Sequence, residues 1–351
     1  MMLPTIYNKN FEAQCIIDDY ISFIWATRYY TTGDFELVLG PTEKALTYAK
    51  IGFYVRRDDD PVHVGIIEKI SISEAEDGSE RMIITGRFAD CILARRIIAE
   101  QTAFTDEHVS DIISALITDA VISPEIAARA IPNFELAAFD AQGPEISIQY
   151  TGKNLLEVIS DLCKTHSLGF YTTLESGTFK FHIYTGKDRT YDQDTNPRVI
   201  FSEEYGNLLT AQYTEDFTSI STDVLAAGEG EGAERKTVWV DNGSSPEGLE
   251  RYEVYADLRN VQSNDGEISP EEYTAQLAQR GAEKLTTYTS AFAGAADFSN
   301  IRYKTDLDLG DVCVIRQTQW GIYVKARLVE VIESISEAGA YSITPSFSYE
   351  N

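Results

Sequence analysis

Alternating apolar and polar residues dominate the chain from Phe11 to Phe88. FEAQCIIDDYISFIWATRYY, FELVLG, IGFYVRR, HVGIIEKISIS and RMIITGRF read as short strands. Turn signals separate them at Thr31–Asp34 (TTGD), Asp58–Pro61 (DDDP) and Glu76–Ser79 (EDGS). So many strands in so short a stretch predict a small barrel or sandwich.

The period then changes. Thr105 or Asp106 is placed to cap a helix whose Val109, Ile112, Ile113, Leu116 and Ile117 recur at helical spacing, with Pro124 beyond its end. A second helix is expected over Lys153–Ser167, carried by Leu155, Ile159 and Leu162 and stopped by Gly169. Phe170–Leu174 and Thr178–Tyr184 then make a hairpin about Glu175, Ser176 and Gly177, with Phe179, Phe181 and Ile183 alternating against Lys180, His182 and Tyr184. Residues 226–249 are a Gly- and Glu-rich loop and a second polar loop around one strand, Lys236–Val240. That stretch is expected to be mobile until something packs on it. Ser269, Pro270 and Glu272 spell a cap, a first-turn proline and a capping-box glutamate for a helix reaching Tyr288, with Tyr273, Leu277 and Leu285 in line. Strands resume after it.

Two stretches far apart in the chain resemble each other. Residues 52–88 and 310–347 both begin with glycine and a strand ending in arginine, at Gly52 and Gly310. Gly65-Ile66 and Gly321-Ile322 open the next strand, Ser71–Ala75 and Ser334–Ala338 both spell SISEA, and Ile84-Thr85 with Phe88 matches Ile343-Thr344 with Phe347. The ordered series indicates a duplicated β unit. The expected architecture is α+β and β-rich: two similar small β-barrel-like domains with α/β insertions. Residues 1–97 form the first barrel-like domain and 98–190 an α/β insertion domain. Residues 191–351 carry the Gly/Glu-rich loop, one helix and the second barrel-like copy. Three such subunits closed into a ring present six like units, so a ring-forming homotrimer could dock on a six-fold partner.

Charge narrows the function. The 351 residues carry 29 Lys and Arg against 56 Asp and Glu, a formal −27. A field of that sign repels nucleic acid and anionic lipid, which excludes specific nucleic-acid binding, although DNA could pass such a surface without sticking. The N-terminal residues have no signal-peptide pattern and no apolar run is long enough to span a bilayer, so no membrane insertion is expected and synthesis in the cytoplasm is. Cys15, Cys91, Cys163 and Cys313 lie in largely apolar settings and read as buried free thiols, with a disulfide between distant segments as the alternative.

No candidate chemistry outweighs its structural alternative. Cys163 and His166 have ligand-like spacing without a second pair, so a core cysteine beside a surface histidine is the better reading. Asp106, His108 and Asp111 suit the positive end of a helix. Asp58, Asp59 and Asp60 lack the spaced oxygens of a calcium loop and read as a hairpin turn. GEGEG lacks the P-loop pattern, and its glutamates would repel phosphate. Gly228, Glu229, Gly230, Glu231, Gly232 and Arg235 are therefore read as a flexible contact loop, with a plain surface loop as the alternative. Trp25, Trp239 and Trp320 would be stacking platforms in a carbohydrate binder and core residues otherwise. No cofactor is implied.

Three segments carry a family likeness: GRFADCILARRII (Gly86–Ile98), GEGEGAER with LERYEVYADLR (Gly228–Arg235 and Leu249–Arg259), and LDLGDVCVI (Leu307–Ile315) followed by WGI and the closing ITPSF. On these the chain resembles the tail-hub proteins of tailed phages and prophages, in the siphophage form that also makes up the N-terminal part of tail-associated lysins. Related hubs occur in contractile tails and type VI secretion spikes. The resemblance implies a non-enzymatic homotrimeric ring at the virion tail tip. Its partners would be the distal tail protein ring, tail tube and tape-measure protein on one side and tip or receptor-binding proteins on the other. Many such hubs continue into a lytic or fibrous domain, whereas this sequence stops after the second copy, so wall-degrading activity is expected elsewhere. A cell-wall or glycan hydrolase and a host-surface carbohydrate-binding protein are the competing readings.

Overall fold

The computed structural model describes every residue except 1, 75–77, 209, 211, 244–245, 264–265, 267, 286–288, 294–300 and 350–351. The N-terminal part is a run of antiparallel strands: β1 (Pro4–Tyr7), β2 (Ala13–Ile16), β3 (Tyr20–Arg28), β4 (Asp34–Leu39), then, after the short helix α1 (Glu43–Tyr48), β5 (Tyr54–Arg57), β6 (Asp60–Glu74) and β7 (Glu80–Phe88). The alternation works as read. Phe23, Trp25, Phe35, Leu37, Leu39, Met82 and Ile84 meet in one buried core, while the alternate residues Ile24, Asp34, Glu36 and Ile83 are less buried.

The middle contains β8 (Thr102–His108), α2 (Val109–Ile117), β9 (Phe134–Leu136), β10 (Glu145–Tyr150), α3 (Leu155–Thr165), β11 (Gly169–Glu175) and β12 (Thr178–Tyr184). The helix expected to start at Thr105 or Asp106 starts later, after His108. The intervening residues pair with β10 as far as His108 opposite Glu145, and this ladder overrides the capping preference. α3 agrees with its prediction, with Asn154 accepting from the backbone N–H groups of Leu156 and Glu157. The predicted hairpin forms around Ser176 and Gly177, both at positive φ as its tight turn requires.

The remainder comprises β13 (Ile200–Ser202), β14 (Gln212–Asp216), β15 (Asp223–Ala227), β16 (Thr237–Asp241), β17 (Glu253–Asp257), α4 (Pro270–Ala282), β18 (Thr289–Ala293), β19 (Val312–Gln317), β20 (Ile322–Ile335) and β21 (Tyr341–Tyr349). α4 has the predicted capping box at Ser269 and Glu272 but ends at Ala282 rather than Tyr288, which lies outside the described residues.

Thirteen strands share one sheet, in the order β14-β18-β21-β20-β3-β4-β7-β6-β5-β1-β2, with β19 beside β20 and β13 beside β19. No sheet among the described residues closes into a barrel, which corrects the barrel-like expectation. The physical reason is visible at β20. Its N-terminal half pairs with β19, but its C-terminal half pairs with β3, so the second set of strands continues into the first instead of curling back on itself.

The two resembling stretches become two meanders, β5-β6-β7 and β19-β20-β21. Glu74 faces Glu80 as Ile335 faces Tyr341, an offset of 261 positions (335 − 74 and 341 − 80). The same offset superposes a bulge between Ile67 and Lys69 on one between Leu328 and Glu330. The SISEA match, at 263, is two residues out of this register. A two-residue slip keeps every side chain on its face, so sequence pattern does not detect it. Gly321 takes the position of Asp60 (60 + 261), not of Gly65, and Ile84 and Phe88 take those of Pro345 and Tyr349 (84 + 261 and 88 + 261), two residues past Ile343 and Phe347.

Candidate functional site

The seam between the two meanders holds a buried charged cluster. Arg57 is 3% exposed, and its guanidinium donates to Asp59 at 2.9 Å and, with both Nη atoms, to Glu333 at 3.0 Å. Glu333, on β20, lies opposite Trp25 on β3. Trp25 Nε1–H donates to Asp60 at 3.0 Å, and His63 Nδ1 lies 2.9 Å from the same carboxylate oxygen. Lys304 Nζ reaches Asp60 at 3.4 Å and Glu333 at 3.7 Å, and the Tyr341 hydroxyl donates to Glu333. Burial works to raise Asp60, but His63, Lys304 and the backbone donors outweigh it and hold its carboxyl well below the usual range. Asp58–Asp60 is thus a hairpin turn, as read, and two of its three carboxylates belong to the cluster in which Arg57 and Glu333 tie the meanders together, a role that sequence did not reveal.

Tyr29 marks a second junction. Its ring is fully buried and lies against the backbone of Gly169 and Gly310, where a Cβ would approach within 2.1 and 2.3 Å of it. Its hydroxyl donates to Ser167 O at 3.0 Å and accepts from Gly186 N–H at 3.1 Å.

The Gly/Glu-rich loop joins β15 to β16 and is held internally, against the expectation of mobility. Arg235 donates to the Gly228 and Ala227 carbonyls and to Asp257. Glu229 accepts from Lys236 at 2.6 Å and from the Ser263 N–H at 2.8 Å. Gly228 is obligatory, because a Cβ there would sit 2.0 Å from the Tyr273 hydroxyl. Gly230 holds φ +92° in the turn, and Gly230, Glu231, Gly232 and Glu234 face outward.

A family model described as siphovirus ReqiPepy6 Gp37-like protein matches residues 3–348. The chain belongs to this family. The resemblance to tailed-phage tail proteins therefore holds across nearly its whole length. No curated protein matches the chain. Among solved structures, the chain is similar to a tail protein from Neisseria meningitidis MC58 (14% identity, TM-score 0.57, covering 99% of this chain and 96% of that one). It is also similar to the 43 kDa tail protein of prophage MuSo2 from Shewanella oneidensis (12%, TM-score 0.57, 99% and 98%) and to prophage tail protein gp18 from Listeria monocytogenes (12%, TM-score 0.55, 99% and 94%). At such identities the likeness is one of fold.

Two of the segments that carried the family likeness supply close backbone contacts. Gly86 packs a Cβ-free backbone onto the Ile66 carbonyl and the Phe35 ring, and Gly310 does the same for Tyr29. The other candidates are dispersed. Cys163 lies in the core of the middle region, where burial pushes its thiol up, and His166 caps the end of α3. The Asp106 carboxylate accepts from Ser147 and His108 contacts the Gly143 carbonyl. Trp25 is buried, whereas Trp239 and Trp320 are half exposed. Among the described residues no group of three or more His, Cys, Asp or Glu side chains is placed to hold a metal ion, and no helix is long and apolar enough to cross a membrane.

Sequence reading missed Asp90. Its Oδ1 is buried without a hydrogen-bond partner, and burial pushes its carboxyl up to about 6, against the pull of Thr172 and His63. A raised acid binds its proton more tightly in the folded state, so the stability it contributes is present below about pH 4 and is lost as pH rises through about 6. Asp90→Asn is expected to remove that loss, roughly 3 kcal/mol at pH 7.5 and close to nothing at pH 4. Urea denaturation at the two pH values checks it; an equal effect at both would refute the assignment.

Proposed function

We propose that this chain is a subunit of a trimeric hub at the phage tail tip. The observation that carries the proposal is the joint between the meanders: two copies of one β unit, their two long strands in register at a single offset, are joined edge to edge through β20 and β3. A subunit built from two like units in a row suits a ring in which three chains present six of them to a six-fold partner. The distal tail ring, tail tube and tape-measure protein are the partners on that side, and tip or receptor-binding proteins on the other. The protein is made in the bacterial host cytoplasm and acts in the virion without enzymatic activity or cofactor. The formal −27 supports passage of DNA through the ring, since like charge discourages adhesion. The outward residues of the Gly228–Arg235 loop, held on a rigid base, serve as a contact surface toward a neighbour.

Electron-microscopy averages and light scattering of the purified protein test this reading. The expected particle is a three-fold ring with a central channel, in the presence or absence of the distal tail protein. Monomers under both conditions would exclude it.

A further inference from the structure

Two of the bare edges of the large sheet are ones that the internal repeat predicts should meet. β14 ends the sheet, with β18 on one side and no described strand on the other. β6 has β5 beside its N-terminal half, but among the described strands its C-terminal half has a partner only in β7. The corresponding half of β20 is covered by β3.

The correspondence extends to β14. Phe292 faces Phe347 where Phe35 faces Gly86 (86 + 261), and Tyr213 faces Phe292 where Trp25 faces Phe35. β14 is thus the second unit's counterpart of β3. Within the chain, β20 of the second unit takes β3 of the first. One bond of the same kind is left over, between β6 of the first unit and β14 of the second, and they sit at opposite ends of the subunit's row. We propose that β6 of one copy pairs antiparallel with β14 of the next copy, repeating between subunits the joint seen within one. This rests on the hub reading and gives it an interface.

The register follows from the in-chain pairs Glu330–Arg28, Ile332–Ala26 and Glu333–Trp25. Subtracting 261 on one side and taking the β3 counterparts on the other sets Lys69 opposite Asp216, Ser71 opposite Thr214, and Ile72 opposite Tyr213. The chemistry of these pairs fits. In-chain, Arg28 and Glu330 form an ion pair of 2.7 Å; between copies Lys69 and Asp216 give the same pairing with the signs exchanged. Lys69 has no ion-pair partner among the described residues, and both it and Asp216 are exposed. Ile72, 52% exposed in the single chain, is the apolar residue that a bare edge ordinarily avoids, and the joint covers it with an aromatic ring.

Cysteines at Ser71 and Thr214 test the register, because directly opposed residues of an antiparallel pair lie within disulfide reach. The double variant, mildly oxidised, is expected to give covalent trimers on a non-reducing gel, and neither single variant should. In parallel, Lys69→Glu should reduce the trimer fraction and Lys69→Glu with Asp216→Lys should restore it. Wild-type monomers would overturn the hub reading. Wild-type trimers whose 71–214 pair does not cross-link would overturn this pairing alone.

Discussion

Arg57→Ala is expected to destabilise the fold by about 3–5 kcal/mol, the cost of leaving buried charge unpaired. The substitution strips Glu333 of both its guanidinium bonds and Asp59 of its partner, while Glu333 stays 5% exposed beside Asp60. Burial alone would lower Arg57, but Asp59 and Glu333 overcome it and raise it, so the ion is held charged throughout. Arg57→Met with Glu333→Leu should recover most of the loss, since the two buried charges go together and Asp59, whose side chain is 45% exposed, is left to water. Chemical denaturation of the three proteins decides the point, and a single-mutant loss under about 1 kcal/mol would show the seam to be held by its backbone ladder instead. Acid should weaken the wild type more than Arg57→Ala. Burial tends to raise Asp59, but Arg57 more than offsets this and depresses it, so that contribution exists above the usual carboxylate range and disappears as pH falls through the lowered value.

Gly310→Ala should be of comparable effect. The residue stands at φ +91°, and a Cβ would lie 2.3 Å from Cε2 of Tyr29, itself unable to retreat. Its ring is wedged against Gly169 as well, and its hydroxyl is fixed between Ser167 and Gly186. Overpacking of about 1–3 kcal/mol adds to about 1–2 kcal/mol for a left-handed alanine, so a fall in the thermal midpoint of many degrees is expected. Gly321→Ala supplies the control: φ is +67° there too, but a Cβ meets nothing within 4 Å. If both variants lost the same stability, backbone conformation rather than the Tyr29 contact would be responsible.

Much of the secondary structure was legible because period and caps are local. The hairpin at Ser176-Gly177, the capping box at Ser269 and the helix after Asn154 all follow from residues within one turn of each other. The start of α2 was misread because the competing partner, β10, lies nearly forty residues on, beyond reach of any local rule (145 − 108). The loop at Gly228 looked mobile from its glycines; Arg235, Tyr273 and Ser263 hold it, and none of those contacts has a sequence signature.

By itself the sequence determined that this is a β-rich, strongly acidic chain with a duplicated strand unit and a phage-tail likeness, since periodicity, charge and repetition are additive along a chain. Only the tertiary structure decided the register of the duplication, the absence of barrel closure among the described strands, and the assignment of Asp60, Arg57 and Glu333 to one buried cluster. Each depends on which strand edges find one another, and edge pairing is a long-range competition that a period of two leaves open.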